Sequence, residues 1–404
     1  MDDAVLSGQG RHRTRAGRRP ARGPVLLAKV SAAVLSAVLL SAIGYASFTY
    51  RSLDSGITHL HLRNLGAGMP EPQQTAAGSG HKAGYDKDQN ILVVGLDSRA
   101  GMSQKQIKLL KVGNETSAST DSMMIVHIPA DGSKATIISL PRDSYVDIPD
   151  GWRKNKLNAA YADAWGSTSG SEAQKEAAGA DLLVATVHQL TGLRIDHYAQ
   201  IGFLGFYKLA QAIHGIDVDM CRATDDTIAH DRLTGQGGGS GFVAPAGKQH
   251  LDPLQVFEFV RQRHNLTHSD IDREARQRYF IAAAFRKVAS AGTLLDPGKL
   301  DAIINAIKGM FVVDDTLRGS ALTRFIGEMA DLNADKVTGH PIPTEGGAKV
   351  DGQDVELVDP AKVKSSIQKL LYPTAATSPP PASSHTAATH SPAADKPADA
   401  GCIY

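Results

Sequence analysis

The sequence predicts an α/β protein, a mixed central sheet packed by helices on its faces, preceded by one transmembrane helix. Apolar, β-branched runs of strand length occur at Asn90–Leu96, Ser122–Ile128 and Lys134–Leu140. Further along, segments with apolar residues at helical spacing are interleaved with such runs, the pattern of helices packed on a sheet. Near the N-terminus an uncharged apolar run extends from Val30 to Tyr50, long enough at about 1.5 Å per residue to cross a hydrocarbon core of roughly 30 Å.

Residues 1–24 carry Arg11, Arg13, Arg15, Arg18, Arg19 and Arg22 against only Asp2 and Asp3. Cationic flanks stay cytoplasmic. Residues 1–24 are therefore expected inside the cell, 25–50 in the membrane, and the rest outside it, as a single-pass membrane protein. A cleaved signal peptide is the rival reading. Gly44-Tyr45-Ala46 offers a small-x-small site and Arg18-Arg19 a twin-arginine pair, but the apolar run exceeds the roughly 7–15 residues of such a leader. The basic cluster directly precedes the span, so topology accounts for it and no nucleic-acid partner is expected. The overall balance, Lys+Arg 43 against Asp+Glu 42, hides this asymmetry.

Residues 51–88 are small and polar and read as a flexible spacer. The globular body is expected over 89–372. Its second and third strands are joined by the short turn Pro129-Ala130-Asp131-Gly132, which suits a hairpin. Leu183, Val187 and Leu190 repeat at helical spacing, and Gly192 stops that helix. Phe203, Phe206, Leu209 or Ala210, and Ile213 repeat the pattern before Gly215, with a strand following at Ile216–Met220. Residues 253–260 and 270–290 read as two more helices, the second with Ser269 or Asp270 as its cap. The segment 291–372 holds a helix-like LDAIINAIKGMF and a strand-turn pattern after Pro341, and is expected to complete the same domain. Residues 373–404 are rich in proline and alanine, with too little apolar surface to order themselves. Cys402 lies in that tail, so a structural disulfide with Cys221 is not expected, and two cysteines exclude any cysteine-cluster metal site.

Asp97 sits just past the first strand, Asp121 at the start of the second and Arg142 just past the third. If the first strand is antiparallel to the second and parallel to the third, all three reach one edge, where open sheets gather ligands. Arg273 and Gln277 are four apart and share a helix face. Arg261 and Arg263 end the preceding helix, and Asp272 lies beside Arg273. Hard oxygen ligands beside several guanidiniums suit a divalent cation and a polyanionic phosphate. A solvated basic surface is the plainer alternative, with Arg276, Arg278 and Arg286 as ordinary members of it.

The runs NILVVGLDSR, STDSMMIVHI, ATIISLPRDSYVDIP, KLNAAYADAWG, VRQRH and DIDREARQRYF, in this order, resemble the LytR-CpsA-Psr family over roughly residues 88–290. The resemblance implies a three-layer α-β-α catalytic domain with a mixed central sheet. It also implies an extracytoplasmic phosphotransferase that moves a glycopolymer from a polyprenyl-pyrophosphate carrier to peptidoglycan or a related wall polymer, with pyrophosphatase activity when water replaces the acceptor. By the same resemblance, Asp97 and Asp121 would be associated with Mg²⁺. Arg142, Arg261, Arg263, Arg273 and Gln277 would bind the pyrophosphate and carry catalysis. The general base is left open between the two aspartates.

Two positions depart from the family pattern. Ser119 stands where an arginine is common, which removes one phosphate contact. Leu251-Asp252-Pro253 replaces Leu-Asp-Gly, a change that the first helical turn tolerates. Two other readings remain: a polyprenyl-pyrophosphate binder or membrane-bound regulator without turnover, and a hydrolase that recycles carrier lipid. Gly235–Gly241 lacks the Lys-Ser/Thr of a phosphate-binding loop and reads as a connector. His264 and His268 read as surface residues.

Overall fold

A computed structural model describes residues 57–66, 87–99, 101–113, 118–130, 135–227, 238–267, 270–288, 298–299, 303, 305, 308–318, 338–373 and 402–403. The basic segment, the apolar run Val30–Tyr50 and most of the proline-rich tail lie outside the described residues. Among the described residues no helix is long and apolar enough to cross a membrane.

The strands, in chain order, are β1 (Thr58–Leu60), β2 (Gln89–Leu96), β3 (Thr120–Ile128), β4 (Thr136–Ser139), β5 (Ser144–Val146), β6 (Asn155–Lys156), β7 (His197–Gly202), β8 (Ile216–Met220), β9 (Thr224–Asp225), β10 (Val243–Ala244), β11 (Gly247–Leu251), β12 (Phe311–Asp314), β13 (Thr338–Pro341), β14 (Gly346–Val350) and β15 (Gln353–Leu357). The helices are α1 (Gln104–Leu110), α2 (Leu157–Ser167), α3 (Glu172–Thr191), α4 (Phe203–Ala212), α5 (Pro253–Phe259), α6 (Asp270–Val288) and α7 (Pro360–Leu371). Seven strands form the central sheet in the order β1-β12-β7-β2-β3-β4-β13. The expected orientation holds: β2 and β3 are antiparallel, as are β3 and β4, so β2 runs parallel to β4. With β7 parallel to β2 and β13 parallel to β4, the sheet is mixed.

Strand periodicity of two sorts the side chains of β2 to opposite faces. Leu92, Val94 and Leu96 join the large core with α2, α3 and α7, whose contributions include Tyr161, Leu183, Val187, Val363 and Ile367. Ile91 and Val93 face the other way and pack with Met124, Val126 and Ile281 of α6. Helices therefore cover both faces. A further apolar cluster joins α4, α5 and α6 to β8 and β11.

Several helix ends follow directly from sequence. Gly192 caps α3 at φ 73°, a left-handed conformation that costs glycine little. Asp252 caps α5 by accepting from the Leu254 and Gln255 amides, with Pro253 in the first turn. The Asp-Pro departure is thus absorbed at a position where proline loses no hydrogen bond. The strand-turn pattern after Pro341 is the β14–β15 hairpin, and β12 and β13 enter the central sheet, so residues beyond 291 complete the domain.

Two expectations need correction. Residues 57–66 are not a spacer: β1 pairs with β12, and Leu60, Leu62 and Leu65 are buried in the main core. The carboxylate of Asp181 accepts from the Arg63 and Asn64 amides at 2.7 and 3.1 Å, which pins this segment to α3. Cys221 and Cys402 form a disulfide. The chain end is ordered beside it, with Ile403 donating its amide to Asp219 O at 2.7 Å and accepting from Cys221 N at 2.9 Å. Asp121, the second residue of β3, lies at the start of that strand as expected.

Candidate functional site

The end of β2 is shaped by a glycine. A Cβ on Gly95 would lie 2.3 Å from Ser122 Oγ, so the glycine leaves room for that hydroxyl beside β2. A register shift follows between Gly95 and Leu96, and the Asp97 amide then donates to Ser119 O at 3.0 Å. Asp97 is thereby turned onto the same cleft as Asp121. That cleft has a volume of 510 Å³, and its walls also hold Arg261, Arg263, Arg273 and Gln277. Six of the residues singled out from sequence therefore meet in one place.

Arg142 stands behind this wall. Its Nη1 lies 2.5 Å from Asp121 Oδ1, and its own surroundings are a second cavity of 480 Å³ shared with Asp143, Glu274 and Lys349. It reaches the cleft through Asp121. Asp272 does not line the cleft; its charge acts on Arg276.

The cleft is divided chemically. Val93, Leu96, Met124, Ile201, Phe203, Phe206, Phe257, Val260 and Ile281 make an apolar wall beside the charged groups. Arg261 joins the two halves: its guanidinium lies 5.0 Å from the Phe257 ring centre and 5.5 Å from that of Phe203, and Nη1 donates to Leu110 O at 2.9 Å. Burial lowers its pKa, opposed by the nearby Asp97, and an arginine remains cationic under such pressure.

Arg99, which sequence reasoning passed over inside the motif NILVVGLDSR, also lines the cleft. It donates to Val112 O at 2.8 and 2.6 Å and to Asp97 O at 3.1 Å. Its Nη1 also lies 2.9 Å from Asp97 Oδ1, so one guanidinium holds both the backbone and the carboxylate of Asp97. Burial raises the Asp97 pKa, the Asp121 charge adds to the rise, and Arg99 and Arg261 oppose it.

A group titrating higher in the folded chain than at its ordinary 3.8 favours folding below that value, and the benefit is lost as pH rises through the folded value. At pH 7 the buried charge is a net cost. Asp97→Asn is therefore expected to raise the melting temperature by a few degrees in chelator at pH 7, and to lose that advantage near pH 3. A lower melting temperature at pH 7 contradicts the electrostatic reading.

Arg276, three residues from Arg273, belongs to the fold. It is buried against Phe259 and Phe242, 4.5 and 5.5 Å from their ring centres, and its Nη1 donates to Gln262 Oε1 at 2.5 Å. Burial pushes its pKa down to about 10. Arg278 is half-buried and donates to Ser139 Oγ at 2.8 Å. The basic stretch of α6 is thus not a solvated surface.

Sequence reasoning gave His264, which is exposed as expected, and the glycine-rich segment no part in the cleft. Gly238, Gly239, Ser240 and His264 line the cleft together with Asp226. A Cβ on Gly239 would come within 2.0 Å of Asp226 O, so glycine permits the backbone to close over that residue.

The LytR_cpsA_psr family model matches residues 61–371, which spans every element of this cleft. The chain belongs to the LytR_cpsA_psr family. Among relatives, it is 32% identical over 366 residues to the cell wall biosynthesis protein LcpA of Corynebacterium glutamicum, covering 86% of this chain and 66% of that one. The chain thus spans just under two thirds of that relative's length. It is 29% identical to the polyisoprenyl-teichoic acid–peptidoglycan teichoic acid transferase TagU of Oceanobacillus iheyensis, covering 62% of this chain and 67% of that one. The crystal structure of Bacillus subtilis TagV superposes with a TM-score of 0.52 at 20% identity, covering 71% of this chain and 98% of that one. At that identity the match establishes the LytR_cpsA_psr fold, a mixed sheet with helices, and nothing finer.

Proposed function

We propose that this chain is a membrane-anchored, extracytoplasmic phosphotransferase. It takes a glycopolymer from a polyprenyl-pyrophosphate carrier and attaches it through a phosphodiester to peptidoglycan or a related wall polymer. The observation that carries this reading is the division of one cleft into an apolar wall and an arginine-aspartate wall. A prenyl chain fits the first and a diphosphate the second. The names of the corynebacterial and bacillar relatives, a cell wall biosynthesis protein and a teichoic acid transferase, support the same class of substrate. The Cys221–Cys402 disulfide supports an oxidising location outside the membrane, and residues 25–50 would form the anchor.

In this mechanism Arg261, Arg263 and Arg273 bind the diphosphate, with forked contacts that neutralise its charge. Gln277 adds a polar contact from the next turn of α6. Arg142 fixes the Asp121 carboxylate and adds a positive charge behind it. Such preorganised charge lowers the barrier because it faces the oxygens on which charge accumulates during transfer.

Asp97 and Asp121 would hold a Mg²⁺ ion. The fit rests on two carboxylates, hard oxygen donors of the kind Mg²⁺ takes, converging on one cleft. A Mg²⁺ site commonly takes only one or two protein carboxylates, with water completing its shell. When bound, the ion would supply charge neutralisation at the pyrophosphate. Where no acceptor is present, a water molecule takes its place.

Incubation of the full-length chain in detergent with a polyprenyl diphosphate and Mg²⁺ is expected to release phosphate, and label from a lipid-linked glycan is expected in a wall acceptor. Mg²⁺ alone should raise the melting temperature of the wild type and leave Asp97→Asn unmoved. Tight binding without turnover favours the binder that Ser119, in place of a common arginine, makes the nearest rival. Phosphate release without label transfer favours the hydrolase.

A further inference from the structure

The cleft holds a base that the phosphate contacts do not employ. His264 lies one residue past Arg263 on the cleft wall, and its Nδ1 is 3.0 Å from Asp226 Oδ1. The Asp226 side chain is fully buried while that of His264 is 43% exposed, so the pair reaches from the interior to the cleft. Asp226 is fixed on every side. Its Oδ2 accepts from Ser240 N at 2.8 Å, its amide donates to Phe242 O at 2.8 Å, and its carbonyl accepts from Gly241 N at 2.9 Å. The histidine backbone is held too, because Gln262 Nε2 donates to His264 O at 2.8 Å while Arg276 grips the same glutamine through Oε1.

A carboxylate at Nδ1 selects the tautomer with its proton on Nδ1 and leaves the Nε2 lone pair available. The same logic orients catalytic imidazoles elsewhere. The two aspartates are otherwise engaged: Asp121 is paired with Arg142 and Asp97 lies against Arg99.

We propose that His264 is the general base that takes the proton from the attacking hydroxyl of the wall acceptor, with Asp226 as its positioning residue. The inference rests on the phosphotransfer reading above. The acceptor O–H proton passes to His264 Nε2 as its oxygen bonds to the glycan-bearing phosphorus. The bridging P–O bond breaks, and the prenyl phosphate leaves with that electron pair. Imidazolium then returns its proton to solvent. A histidine serving only to staple the Gly238–Gly241 loop would show the same hydrogen bonds, so the test must separate the two roles.

Three measurements on the full-length chain in detergent do so: Kd for a polyprenyl diphosphate with Mg²⁺, kcat for transfer of labelled glycan to a wall acceptor, and rescue by added imidazole. In His264→Ala, kcat is expected to fall by about 10²- to 10⁴-fold, the usual span for a positioned proton acceptor. Kd should stay within a few-fold, and imidazole should restore part of kcat. His264→Gln, which fills the ring's place, should be equally slow and gain nothing from imidazole. Asp226→Asn should lower kcat without changing Kd. Unchanged kcat in His264→Ala overturns the proposal, as does a parallel loss of lipid binding or an absence of rescue. A wild type that transfers nothing sinks the phosphotransfer reading and the base with it; an active wild type with an equally active His264→Ala sinks the base alone.

Discussion

Arg142→Ala is expected to slow glycopolymer transfer by about 10²- to 10³-fold, the usual consequence of removing one preorganised charge from a developing oxyanion. Its Nη1 lies 2.5 Å from Asp121 Oδ1, and Nε lies 3.5 Å from Asp143 Oδ2. The variant leaves Asp121 free to rotate and deprives the diphosphate of a nearby positive charge. The fold should survive, because Asp143 keeps Lys156 at 2.9 Å and the arginine side chain is not part of an apolar cluster. Arg142→Lys should recover only a fraction of the rate, since an ammonium cannot make the two-pronged contact of a guanidinium. Single-turnover transfer of labelled glycan, with circular dichroism on the same samples, measures both effects. A rate within about three-fold of wild type counts against any role for this residue at the phosphate.

The second large effect is on stability. Cys402→Ser is expected to lower the free energy of unfolding by about 3–5 kcal/mol. The bond closes a sequence separation of 181 residues, and on the chain-entropy account the constraint on the unfolded state grows with the logarithm of the loop. A smaller direct loss adds to this. Ile403 is buried among Met220, Phe259 and their neighbours, and its two backbone bonds to β8 are held in place by the adjacent bridge. Urea denaturation of wild type, Cys402→Ser and the Cys221→Ser/Cys402→Ser double variant gives the comparison. Both variants should show the same loss, and reductant should bring the wild type down to meet them. A urea midpoint unmoved by either substitution excludes a structural role for the bridge.

Much of the fold was readable in advance because its signals are local. The β2, β3 and β4 runs are apolar and β-branched, and the short turn between the last two sets their antiparallel direction. The stops at Gly192 and Gly215 and the cap at Asp252 depend on backbone chemistry within a few residues. The site was partly readable for a similar reason. Asp97 and Asp121 fall at or near strand ends, and Arg273 and Gln277 share a helix face by spacing alone.

The misreadings all concern contacts between distant segments. The 57–66 stretch looks like a spacer until Asp181 of α3 accepts its amides and β12 supplies its pairing partner. The tail composition is that of a chain that cannot order itself, yet β8 gives Ile403 a strand edge and an apolar cluster. On α6 the sequence could not rank Arg273 against Arg276: one faces the cleft, while the other is packed between Phe242 and Phe259. His264 was given no part in the cleft because its partner, Asp226, lies 38 positions away.

By itself, then, the sequence determined the element types, the order of the β2–β4 hairpin strands and a set of acidic and cationic side chains suited to a diphosphate. The tertiary structure decided which of those charges share a cleft, which are sealed into the core, and where the chain's last residues are fastened. The physical reason is range. Strand and helix preferences are settled by neighbours a few residues away, whereas the state of a charged side chain depends on the burial and partners that remote segments bring to it.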